Sequence, residues 1–95
     1  MINMQVRGDR RVVATADGGV EWVGAFAALD PTVFPMLWAL DPYGDAVFNH
    51  RQVPMLLAEL DRPPAVLDGD WVHKACELCQ VVDRETQRYL WFVGD

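Results

Sequence analysis

Cys76 and Cys79 stand three residues apart, and His73 precedes them at the same interval, so the run reads His-x-x-Cys-x-x-Cys. Thiols and imidazoles in such spacing are the ligand types of a zinc site, with His50 available as a fourth, or the pair of a redox centre. Helical geometry argues against both. Cys79 would lie about 120° around a helix from His73, so the three side chains do not converge on one ion. A redox pair also draws its reactivity from a helix N-terminus, and Cys76 falls well past the cap expected at Asp70. Buried, unreactive thiols are the preferred reading, and the metal or redox site is kept as the weaker alternative.

Asp41, Asp45 and Asp95 are the next candidates, as carboxylates for a cation or for acid–base work. Asp41 is accounted for by the turn Asp41-Pro42-Tyr43-Gly44, which has Asp first, Pro second and Gly fourth, as a type I turn prefers. The alternating acidic spacing of a calcium loop is missing. Asp45 is the carboxylate that the turn itself does not demand. The chain contains no serine, which removes serine triads, and Gly18-Gly19 lacks the lysine and helix of a phosphate-binding loop. No coherent catalytic set and no cofactor motif emerges, so an enzyme is not the favoured reading. Tyr43, Asp45, His50 and Trp38 remain as candidate binding residues around the 41–50 turn.

The chain has 95 residues and a formal net charge of −6, with 14 carboxylates against 8 basic residues. This length suits one small domain spanning residues 1–95. Hydrophobic residues make up 52% of the composition, which is enough to build a core. An acidic surface is a poor match for nucleic acid, whose affinity comes largely from counterions released by Lys and Arg. The charge is uneven: Arg7, Arg10 and Arg11 cluster early, while Asp61, Asp68, Asp70, Glu77 and Asp83 sit late, an asymmetry that can orient a partner. No apolar run approaches the roughly 20 residues of a membrane span, and no leader-like segment is evident. A cytoplasmic protein is expected. Arg7-Gly8-Asp9 matches the cell-adhesion triplet, here taken as coincidence.

The elements that would position these residues read as β-β-β-β-α-α-β. Met4 to Arg7 and Arg11 to Ala16 form a hairpin around Gly8-Asp9, a glycine-first pair suited to a type II′ turn. Asp17-Gly18-Gly19 makes a second turn into a third strand from Val20 to Phe26, in which Val20, Trp22 and Phe26 share a face. Residues 27–35 read as a loop, with room for one helical turn beginning at Pro31. Met36 to Leu40 is preferred as a buried strand, with a helix from Thr32 to Leu40 left open.

Asn49 with Gln52 forms a capping box for a helix starting near residue 50 or 51, whose apolar stripe is Val53, Leu56, Leu57 and Leu60. A second helix starts at Asp70, supported by an Asp70–Lys74 pair, with Trp71, Ala75, Leu78 and Val82 inward. Tyr89 to Val93 closes the chain as a strand, too continuously apolar for an exposed edge. The expected fold is α+β: a mainly antiparallel sheet of about five strands with two helices packed on one face.

The segment DPYGDAVFN with Gln52 and the helix after it, together with the terminal YLWFVGD, resembles a set of small uncharacterised bacterial proteins. The resemblance covers residues 36–60 and 89–95. It implies a recurring domain and no activity.

Three functions fit these observations. The favoured one is a non-catalytic protein-binding or accessory domain, immunity-like, antitoxin-like or regulatory, acting through a protein partner or a homodimer. The second is a small-molecule-binding or catalytic domain with a pocket at the 41–50 turn, and the third is the Cys/His metal site.

Overall fold

The computed structural model describes residues 1–94, so Asp95 lies outside the described residues. The fold is α+β. Its sheet is antiparallel and four-stranded, in the order β2-β1-β4-β3. The strands are β1 (Ile2–Gly8), β2 (Arg11–Val20), β3 (Asp45–Phe48) and β4 (Arg88–Val93). The helices are α1 (Gly24–Ala27), α2 (Pro35–Trp38), α3 (Val53–Leu60) and α4 (Asp70–Asp83), with a 3-10 turn at Ala65–Leu67 before α4. As the unbroken apolar run of β4 required, that strand is interior, paired with β1 on one side and β3 on the other.

The first hairpin forms, but its loop is Asp9-Arg10 rather than Gly8-Asp9, with Gly8 paired to Arg11. Both loop residues have positive φ, 50° and 70°. That is the signature of a type I′ turn, whose twist matches the flanking strands. Asp17-Gly18-Gly19 does not end a strand. It forms a bulge inside β2: Thr15 pairs with Gln5 and Gly19 with Asn3, so extra residues oppose Met4. Gly18 takes φ +71° there, a conformation open to glycine.

The expected third strand from Val20 to Phe26 is absent. β2 ends at Val20, and Gly24–Ala27 closes a helical turn with Phe26 buried. Alanine-rich sequence favours the helix, and aromatic packing fixes its place. Trp22 stacks on Phe26 at 6.3 Å between ring centroids, and Phe26 meets Trp71 of α4 at 6.1 Å.

Met36 to Leu40 is also not a strand. The helical alternative is closer, with α2 beginning on Pro35, a first-turn position where proline loses nothing. The remaining early donors are met from outside the helix. Glu59 of α3 accepts hydrogen bonds from the backbone N–H of Met36 at 3.1 Å and of Leu37 at 2.9 Å. That long-range cap is invisible to local pattern reading.

Around α3 the capping box is present: Asn49 Oδ1 accepts from the backbone N–H groups of Arg51 and Gln52, and Gln52 Oε1 accepts from the backbone N–H of Asn49. The helix itself starts at Val53, later than expected, which places Pro54 in the first turn. Lys74 does not pair with Asp70. Its Nζ donates to the Asp17 carbonyl at 2.7 Å and ties α4 to the β2 bulge.

The core lies between the helices and one face of the sheet, where Ile2, Met4, Val6, Leu90 and Phe92 meet Leu56, Leu78, Cys79 and Val82. α4 crosses the strands and α3 packs beside it. Among the described residues, no helix is long and apolar enough to cross a membrane.

Candidate interaction surface

Because all four helices gather on one side, strand alternation delivers every second residue of the sheet to a face that no helix covers. On β1 these residues are Asn3, Gln5 and Arg7, while Ile2, Met4 and Val6 are buried. β4 differs. Its inward residues are Leu90 and Phe92, yet its outward ones, Tyr89, Trp91 and Val93, are large and apolar too. β3 adds Asp45 and Val47.

Register turns these residues into rows across the sheet. Trp91 lies between Gln5 on β1 and Val47 on β3. Arg7 lies between Val12 on β2 and Tyr89 on β4. Val12, Val47 and Tyr89 are 49%, 40% and 43% exposed. The Arg7 guanidinium reaches diagonally across to sit 4.1 Å from the centre of the Trp91 ring, and its Nε donates to Gln5 Oε1 at 2.9 Å. A guanidinium stacked on indole and tethered by a second bond is held in place. At the hairpin end these side chains border a cavity of about 470 Å³ that includes Arg10, Arg11 and Asp9.

The four residues nominated from sequence sit on different structural features. Tyr43 is 86% exposed at the tip of the turn, where its backbone N–H donates to Asp41 Oδ1 at 2.8 Å. Trp38 is 49% exposed at the end of α2. His50 follows β3, with Nδ1 3.9 Å from Asp83, and lines a shallow cavity with Arg88 and Tyr89. Asp45 alone of the four belongs to the open face, opposite Val93 at its edge.

The Cys/His run is likewise dispersed. His73 is exposed and bound to Glu77 at 2.9 Å, whereas Cys79 is fully buried. Burial pushes the Cys79 thiol up to about 12, with Cys76 nearby adding to the effect. Burial, and secondarily the charge of Asp61, raises Cys76 as well. Thiols held protonated are poor nucleophiles and poor metal ligands. No group of three or more metal-ligating side chains is present among the described residues.

The two segments that carry the resemblance meet in space. Gly94 donates to the Gly44 carbonyl at 3.0 Å, and a side chain at Gly94 would run into the backbone of Asp41 and Gly44 at 2.5–2.8 Å. The Asp41–Gly44 turn is therefore a clasp for the C-terminal strand.

Sequence reasoning missed Trp91, Tyr89, Val47, Val12 and Arg7 as surface residues. The available signal was a mismatch between strands, since β1 alternates apolar and polar from Ile2 to Arg7 while β4 is apolar from Tyr89 to Val93. The chain matches no protein-family model, no curated protein and no solved structure.

Proposed function

We propose that this chain is a non-catalytic protein-binding domain of the cytoplasm, which presents the open face of its sheet to a protein partner or to a second copy of itself. Immunity-like, antitoxin-like and regulatory accessory modules act in this manner. The observation that carries the reading is the second apolar face of β4, with Trp91 and Tyr89 flanked by Val47 and Val12 on a side without helices. An antiparallel sheet with one solvated face ordinarily alternates apolar and polar residues, and near-continuous apolar strands belong to sheets covered on both faces. Trp, Tyr and Arg are also the residues that dominate binding energy at protein interfaces.

The test pairs light scattering of the pure protein with capture from the native host, for the native chain and for Val47→Lys/Tyr89→Ala. A dimer or a captured protein that is lost with the altered face supports the reading. A strict monomer that captures the same set of proteins with either face refutes it.

A further inference from the structure

The chain carries a net charge of −6, yet three of its arginines gather at one end of the open face of the sheet. Among the described residues Arg7, Arg10 and Arg11 enter no ion pair, as is also true of Arg51, Arg62 and Arg84 elsewhere, while Arg88, just behind the hairpin, is neutralised by Glu85 at 3.2 Å. All three border the one cavity that also holds Trp91, Tyr89 and Val12, where Asp9 is the single opposing carboxylate. Three positive charges against one negative leave this end of the face at +2 in a chain that is otherwise acidic. Arg10 is held there with φ +70°, a left-handed conformation that costs a side-chain-bearing residue free energy.

We propose that this cleft binds an acidic, extended segment of a protein partner, placing an apolar side chain against Trp91 and Tyr89 and carboxylates against Arg7, Arg10 and Arg11. The inference rests on the protein-binding reading above and names the chemistry of the partner. Charge complementarity selects the occupant. A guanidinium pairs with a carboxylate through two parallel hydrogen bonds, and Arg7 is already oriented by its stacking on Trp91 and its bond to Gln5. The cleft volume of about 470 Å³ is within the range that accepts a few side chains. The acidic remainder of the chain repels a long polyanion such as RNA, whereas a short acidic segment meets only the positive end.

The experiment uses the intact chain and a fluorescein-labelled peptide, Glu-Glu-Leu-Phe-Glu-Glu, read by fluorescence anisotropy. Its all-glutamine counterpart and a single-stranded oligonucleotide are the comparison probes. The acidic peptide is expected to bind, to weaken with rising salt, and to exceed the glutamine peptide. Arg10→Glu/Arg11→Glu should lower its affinity about tenfold, equivalent to two reversed surface charges. Arg10→Gln/Arg11→Gln should give an intermediate loss, and circular dichroism confirms that each variant is folded.

No binding of the acidic peptide at about 1 mM, the weak end of specific affinity, overturns the proposal. So does binding that ignores both arginine variants, or an oligonucleotide that binds more tightly at the same arginines. A dimer or captured protein lost in Val47→Lys/Tyr89→Ala but unchanged in the arginine variants overturns this inference alone and leaves the protein-binding reading standing.

Discussion

Among the described residues, Glu59 is the one charged residue in the interior, 8% exposed, and its carboxylate spans two elements distant in sequence. Both oxygens are used: Oε2 accepts from Met36 N–H at 3.1 Å and Oε1 from Leu37 N–H at 2.9 Å. Pro35 has no N–H, and Trp38 N–H already reaches the Phe34 carbonyl, so Glu59 completes the first turn of α2. Glu59→Ala strands two donors, one of them in the buried backbone of Leu37. Each hydrogen bond to a charged acceptor contributes about 1.5–3 kcal/mol. Water can re-solvate the donor of the half-buried Met36, so the expected loss is about 3 kcal/mol, closer to one full bond than to two.

For a domain of this size each kcal/mol moves the midpoint by about 4–8 °C, giving a fall in Tm of about 15 °C. Glu59→Gln keeps one acceptor but turns an NH2 group toward a backbone donor, so it should recover no more than about half of that loss. Thermal melts and urea titrations of the three proteins provide the measurement, with an unchanged urea slope confirming that the folded and unfolded states keep their extents. A fall in Tm below about 3 °C for Glu59→Ala, or a Glu59→Gln protein as stable as the native chain, would refute the account of α2 as a helix held from α3.

Other expectations concern the clasp, the thiols and the open face. Gly94→Ala should destabilise by about 1–3 kcal/mol, the usual range for overpacking, because the new methyl meets the backbone of Asp41 and Gly44; urea titration checks it. Cys79 titrates near an ordinary 9.0 when unfolded but about 12 when folded. Its contribution is therefore complete below pH 9 and declines, by at most about 1.4 kcal/mol per pH unit, as pH climbs from 9 toward 12. Cys79→Ala should flatten that part of the stability profile, and iodoacetamide at pH 8 should label Cys79 only when denaturant is added. Val47→Lys/Tyr89→Ala should stay within about 1 kcal/mol of the native stability, since each site is a surface position worth about 0.5 kcal/mol, while abolishing whatever association the face supports.

Local signals with local causes were legible. The Asn49–Gln52 box, the stripe of α4 and the interior position of β4 follow from residue types and spacing alone. What escaped depended on partners far along the chain. The run from Met36 to Leu40 has the composition of a strand and becomes a helix because Glu59 caps it from 22 and 23 residues away. Residues 45–48 read as the exit of a turn and become β3 because Arg88–Val93 offers them an edge. Asp17-Gly18-Gly19 has the chemistry of a reversal and yields a bulge because Ile2 and Asn3 continue to pair beyond it. The nominated residues sit on different features: Trp38 at the end of α2, Tyr43 on the turn, Asp45 on β3 and His50 after it. Turn residues such as Tyr43 stand out in a sequence, yet a clasp projects them outward.

The continuous apolar run of β4 has two possible causes, and sequence alone does not separate them. A strand buried on both faces and an interior strand of a half-covered sheet with an adhesive outer face both spell Tyr-Leu-Trp-Phe-Val. Placing all four helices on one side removes the first cause within the single chain. The outward set of Tyr89, Trp91 and Val93 then has no covering element of its own, while the neighbouring β1 stays polar outward at Asn3 and Gln5. Were this face simply solvated, the same economy would be expected on both strands, since an exposed indole gains nothing from water. This difference between two hydrogen-bonded neighbours in one sheet is the support for the proposal that a partner covers the β4–β3 side and the Arg7 end. The cavity at the Arg7 end also gathers Arg10 and Arg11 beside Trp91 and Tyr89, which joins the charge argument for an acidic partner to the apolar one.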